Sequence, residues 1–117
     1  MIKKVHHVGV VVRDMEQAMR FWRDTLGLRV HKTQMIEEQG VRAALMTVGD
    51  SEIELLEPTV TDNGIARYLA SRGEGLHHVC FQVDSVDRDL EVLKAKGVEL
   101  IDQAPRIGIA GRICFLH

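Results

Sequence analysis

The stretch VHHVGVVV at residues 5–12 returns as LHHVCFQV at residues 76–83, a displacement of 71 positions that superposes His6 on His77, His7 on His78, Val8 on Val79 and Val12 on Val83. The match extends past the strands. After the first, Asp14 with Gln17 three residues on forms a capping-box signature, Met15, Ala18, Met19, Trp22 and Leu26 recur at helical spacing, and Gly27 closes the helix. After the second, Ser85 caps, Val86, Leu90 and Leu93 form the apolar stripe, and Gly97 closes. Both glycines precede short apolar stretches, LRV and VEL. The chain is therefore expected to be a tandem duplication of one small motif.

The first copy continues with two strands, Val41–Val48 and residues 52–57, joined by a Gly49-Asp50 hairpin turn. One copy is thus strand, helix and three strands, ended by Pro58. A connector follows, with a short helix expected from about Asn63 to Arg72 and stopped by Gly73. The second copy reaches RICFL at residues 112–116, the counterpart of Val41–Val48. The repeat then calls for one more strand beyond His117, and a truncated chain is expected rather than a naturally shorter one, because an incomplete sheet would leave a raw edge and an uncovered core. These 117 residues are read as one domain of class α+β. Module one covers about 1–58, the connector about 59–73 and the incomplete module two about 74–117. Together they should form a curved, barrel-like mixed sheet around a cleft.

Composition removes several function classes. Hydrophobic residues make up 45% and charged ones 27%, ordinary for a water-soluble globular chain. A formal net charge of −2 lacks the basic footprint of a nucleic-acid binder. No run approaches the ~20 apolar residues of a membrane span, and MIKK leads into a strand rather than a signal peptide. Cys80 and Cys114 form no CxxC pair and are expected to be buried and reduced, as in a cytoplasmic protein.

Strand side chains alternate between faces. His7, Gly9 and Val11 share one face, while His6, Val8, Val10 and Val12 should pack beneath the helix. The same parity sends His78, Cys80 and Gln82 to the open face and His77, Val79 and Phe81 under their helix. In EIELLE, Ile53 and Leu55 face the core, so Glu52 and Glu54 point the other way. A strand histidine is commonly a hydrogen-bonded core or surface residue. Duplication alters that expectation, because equivalent residues meet about a pseudo-twofold axis. His7, His78 and a carboxylate from Glu54 form a donor set suited to a divalent ion, with Co, Mn, Ni, Zn and Fe all admitted. His6 and His77 face the helices and are expected to take a core role or to hydrogen-bond behind the ligands, rather than to bind the ion themselves. His31 and His117 carry no pattern and are expected to be solvated, as are the charge runs at Glu37-Glu38 and residues 87–89. Met15, Met19 and Trp22 are core. IGIAG at residues 107–111 is a flexible loop without the flanking strand and helix of a phosphate loop.

The two-module plan with cavity-facing HHV strands resembles the vicinal oxygen chelate superfamily of glyoxalases, bleomycin-resistance proteins and extradiol dioxygenases. Within it, HHVGVVVRDMEQAMRFW, GDSEIELLEP, GEGLHHVCFQVD and GRICFLH resemble the methylmalonyl-CoA epimerases over nearly the whole chain. The resemblance implies metal ligation by His7, Glu54 and His78, with a fourth ligand, a Glu, beyond His117. A third-strand catalytic Glu of some members falls on Ala43 here and is not carried over. The implied reaction is inversion at C2 of an acyl-CoA through proton abstraction alpha to the thioester, with the ion as Lewis acid. The catalytic groups are unassigned, with Glu52 as the one candidate on this face. A glyoxalase I-type lactoylglutathione lyase is the alternative, and a metal-free small-molecule binding or resistance protein the second. The resemblance also implies a homodimer, with neither nucleic acid nor membrane as partner.

Overall fold

The computed structural model describes residues 2–117, which form seven strands, three α-helices and short turns of π- and 3-10-helix. Five strands make one mixed sheet in the order β2-β3-β4-β1-β5. They are β1 (Ile2–Val11), β2 (Arg29–Ile36), β3 (Val41–Val48), β4 (Ser51–Pro58) and β5 (Gly75–Val83). The helices are α1 (Met15–Met19), α2 (Gly64–Arg72) and α3 (Val86–Ala95). A separate hairpin joins β6 (Arg106–Gly108) to β7 (Gly111–Ile113). The α+β class and the strand–helix–three-strand plan of the first copy are as the sequence predicts. No described helix is long and apolar enough to cross a membrane.

The chain divides into two compact units, residues 5–80 and the beginning of β1 with residues 81–117. In the first, β2, β3 and β4 form an antiparallel meander, and β1 joins β4 in parallel with His7 opposite Glu52 and Gly9 opposite Glu54. The two-residue turn at Gly49-Asp50 pairs Val48 with Ser51, and Gly49 takes the positive φ (56°) such turns need. Asp14 caps α1 by accepting from the Glu16 and Gln17 amides. Beyond Met19 the helix widens into a π-type turn over Arg20–Thr25, where Leu26 N donates to Phe21 O. The helix lays Met15, Met19, Ala18 and Trp22 against Val10, Val12, Ala44, Met46, Ile53 and Leu55. That core fixes which sheet face is covered, so the alternate residues of β1 and β4 are committed to the other side. Asn63 caps α2 and Gly73 ends it, at the boundaries the sequence indicates.

In the second unit Ser85 caps α3, Leu90 is its buried residue and Gly97 follows in the left-handed region. Two expectations are corrected there. The strand expected over residues 112–116 is only Gly111–Ile113, because Phe115 N donates to the Asp102 carboxylate and Leu116 makes a single bridge with Leu100. IGIAG is not a loose loop: Gly108 pairs with Gly111 and the segment is the bend of the β6–β7 hairpin. The two cysteines are half-buried rather than buried, and neither is in a disulfide.

Candidate metal centre

Parity on β1, β4 and β5 brings His7, Glu54 and His78 together within the first unit. Their donor atoms form a small triangle: His7 Nε2 to His78 Nε2 is 3.2 Å, His78 Nε2 to Glu54 Oε1 is 3.2 Å, and His7 Nε2 to Glu54 Oε1 is 3.5 Å. Metal bonds of about 2.1 Å at tetrahedral or octahedral angles hold donor atoms roughly 3.0–3.4 Å apart; two of these edges fall inside that range and the third is only slightly longer. They are the His, Cys, Asp and Glu side chains that cluster closely enough for an ion among the described residues.

Charge supports the same reading. Glu54 is 5% exposed, and its ion-pair contacts among the described residues are to the two imidazoles. Burial pushes the His7 pKa down, outweighing the Glu54 carboxylate that pulls it up. His7 is therefore neutral at pH 7 and does not cancel the carboxylate's charge. A buried carboxylate beside a neutral imidazole is costly unless a cation joins them. The donor set fits a divalent ion.

Backbone shape makes room for the triangle. Gly9 lies on the same face of β1 as His7, and a Cβ there would sit 2.3 Å from His78 Cε1. The His78 ring occupies the space that any side chain at position 9 would take. Behind the triangle, His7 Nδ1 is 2.9 Å from His6 Nδ1, and His78 Nδ1 is 2.9 Å from His77 Nδ1. His77 also stands edge-on to Tyr68 at 5.2 Å, while the Tyr68 hydroxyl donates to Leu76 O.

Glu52 lies on the same face of β4 as Glu54, with a side chain 15% exposed. It is not free there. His31 is exposed, as expected, and its Nδ1 lies 2.7 Å from Glu52 Oε2, a pairing that no sequence pattern indicates. His31 sits where the β2–β3 register slips between Val30 and Lys32, and a bulge re-aims a side chain in a way no local pattern reveals. The site-facing row of β3 offers Ala43, Leu45 and Thr47, so it supplies no acid or base. His117 stays exposed, 3.8 Å from Glu99.

The chain belongs to the Glyoxalase/Bleomycin resistance protein/Dioxygenase superfamily, whose sequence profile matches residues 6–115. Its relatives within that class are more particular. It is 34% identical to the mitochondrial methylmalonyl-CoA epimerase of Mus musculus over 116 residues, 97% of this chain and 65% of the mouse protein. It is 33% identical to the ethylmalonyl-CoA/methylmalonyl-CoA epimerase of Cereibacter sphaeroides, over 100% of this chain and 90% of that one. A Streptomyces coelicolor methylmalonyl-CoA epimerase variant in complex with 2-nitronate-propionyl-CoA superposes with a TM-score of 0.95. It is 38% identical, with 100% of this chain and 86% of that chain covered. The chain spans just under two thirds of the mouse relative's length.

Proposed function

We propose that this chain is a metal-dependent methylmalonyl-CoA epimerase, an isomerase that inverts C2 of its acyl-CoA substrate. The observation that carries the proposal is the buried His7/Glu54/His78 triangle in a chain whose relatives are epimerases of this substrate. His7, Glu54 and His78 would hold the ion. A divalent cation bound there supplies Lewis acidity to a thioester carbonyl, which lowers the cost of removing the neighbouring proton. The chain's own contribution is to fix three donors on rigid strands and to keep His7 neutral by burial.

Proton transfer also needs a group within hydrogen-bond reach of the reacting carbon. Glu52 is the residue we assign to it. Among the site-facing residues of β1, β3 and β4 it is the carboxylate left over once Glu54 is engaged. His31 anchors one of its oxygens, so the other keeps a fixed direction. We further propose a homodimer in the cytoplasm, in keeping with the family resemblance and two cysteines outside any disulfide.

The test is solvent exchange. Co2+-loaded protein in D2O should replace the C2 proton of methylmalonyl-CoA with deuterium, and Glu52→Gln should lower that rate by at least 100-fold with the ion still bound. Metal-loaded protein that leaves C2 unexchanged, or that instead isomerises the methylglyoxal–glutathione hemithioacetal, overturns the proposal.

A further inference from the structure

The four histidines of the two HHV phrases stand in one row, His6–His7–His78–His77. They are hydrogen-bonded within each phrase and meet Nε2 to Nε2 at the centre, where the two bare nitrogens face the cation position. The spacings along the row are Nδ1 to Nδ1 at 2.9 Å, Nε2 to Nε2 at 3.2 Å and Nδ1 to Nδ1 at 2.9 Å. We propose that His6 and His77 are positioning residues that set the tautomer and ring angle of the two ligand imidazoles. The inference rests on the metal reading of the central triangle.

A neutral imidazole carries one N–H, and the nitrogen facing a metal must be the bare one. Glu54 and the opposite ligand both lie at the Nε2 side, so His7 and His78 keep their protons on Nδ1. Each Nδ1–H then needs an acceptor. The atom at 2.9 Å in both arms is the Nδ1 of the preceding histidine, so His6 and His77 must accept there and hold their own protons on Nε2. Four tautomers follow from one bound cation. A ligand histidine usually donates its second N–H to a carboxylate or a carbonyl, and that partner holds its plane. In this chain another imidazole does so twice, at equivalent positions of the duplication. The neighbouring rings also stand nearly perpendicular, at 83° and 86°, so each outer ring meets its ligand edge-on and fixes its rotation.

Chemistry at Nδ1 alone distinguishes this role from simple packing. Asparagine places its side-chain oxygen near the position of a histidine Nδ1, whereas glutamine reaches toward Nε2. His6→Asn and His77→Asn should therefore keep Co2+ affinity within about threefold by calorimetry. His6→Gln and His77→Gln should lose 10–100-fold, the range of lost outer-sphere partners, and shift the Co2+ d–d spectrum. Imidazole 15N shifts of the Zn2+-loaded wild type should show Nε2–H at His6 and His77, and Nδ1–H at His7 and His78. Wild type that binds no ion refutes the metal reading itself. Wild type that binds the ion but carries the proton on Nδ1 of His6 or His77 overturns this inference alone, as does equal affinity in the Asn and Gln variants.

Discussion

β1 and β5 carry the same phrase in unequal surroundings. β1 runs between β4 and β5, and the His7 side chain is 5% exposed; β5 is a sheet edge, and that of His78 is 16% exposed. Val10 and Val12 join the core under α1, whereas Val79 and Phe81 are 45% and 50% exposed. The copied sequence sets the direction of each side chain through the two-residue period. Neighbouring strands set how deeply it is buried. The second arm gains another brace instead, the Tyr68 ring against His77.

The two phrases part most sharply at the site-facing position after the ligand, Gly9 in one and Cys80 in the other. Gly9→Ala drives a Cβ into the His78 ring, so ion affinity should fall at least 100-fold while the fold persists. Its equivalent, Cys80, has room for a side chain, and Cys80→Ala should change affinity less than about threefold. Comparable losses in the two variants would show that the Gly9 notch is not what admits His78.

Core truncation compares the two units. Leu55 is fully buried in a cluster of six buried residues, so Leu55→Ala should cost about 3–4 kcal/mol in urea unfolding. Leu90 is the one buried residue of α3, and its half-exposed neighbours can collapse around a gap. Leu90→Ala should sit nearer 2 kcal/mol. The reverse order would contradict the picture of a denser first unit.

Acid tests both arms at once. Desolvation lowers the pKa of His7 and of His77 from the ordinary 6.5. The unfolded chain therefore binds more protons than the native one between those lowered values and 6.5, and stability falls as pH falls through that window. Metal-free protein should lose stability below about pH 6.5, level off once the native histidines also protonate, and lose less in His7→Asn. A flat profile from pH 7 to 5 would contradict neutral, desolvated imidazoles.

The smallest effects lie at the helix starts. Asp14 accepts two amides and Ser85 one, so Asp14→Ala should cost about 1 kcal/mol and Ser85→Ala somewhat less.

Much of this architecture is legible in the residues because its causes are local. Period-two alternation places His7, Gly9 and Glu54 on one face, and Asn63, Ser85, Gly73 and Gly97 punctuate helices through their own backbone and capping chemistry. β2 is longer than LRV indicates because RVHKTQMI is an edge strand with little apolar alternation. The bend at Ile109-Ala110 lacks the Asn-Gly signature of a two-residue hairpin, so the turn is not legible in IGIAG. The His31–Glu52 pair spans 21 positions and depends on a bulge, and no spacing encodes it.

The proposed cation site draws its donors from both copies of the duplication, His7 and Glu54 from the first and His78 from the second. Calorimetric titration of Co2+ into wild type, His7→Ala and His78→Ala tests it most directly. Wild type should bind one ion per chain, and each single variant should lose at least 100-fold in affinity despite the different burial of the two histidines. Undiminished binding in either variant would contradict the account.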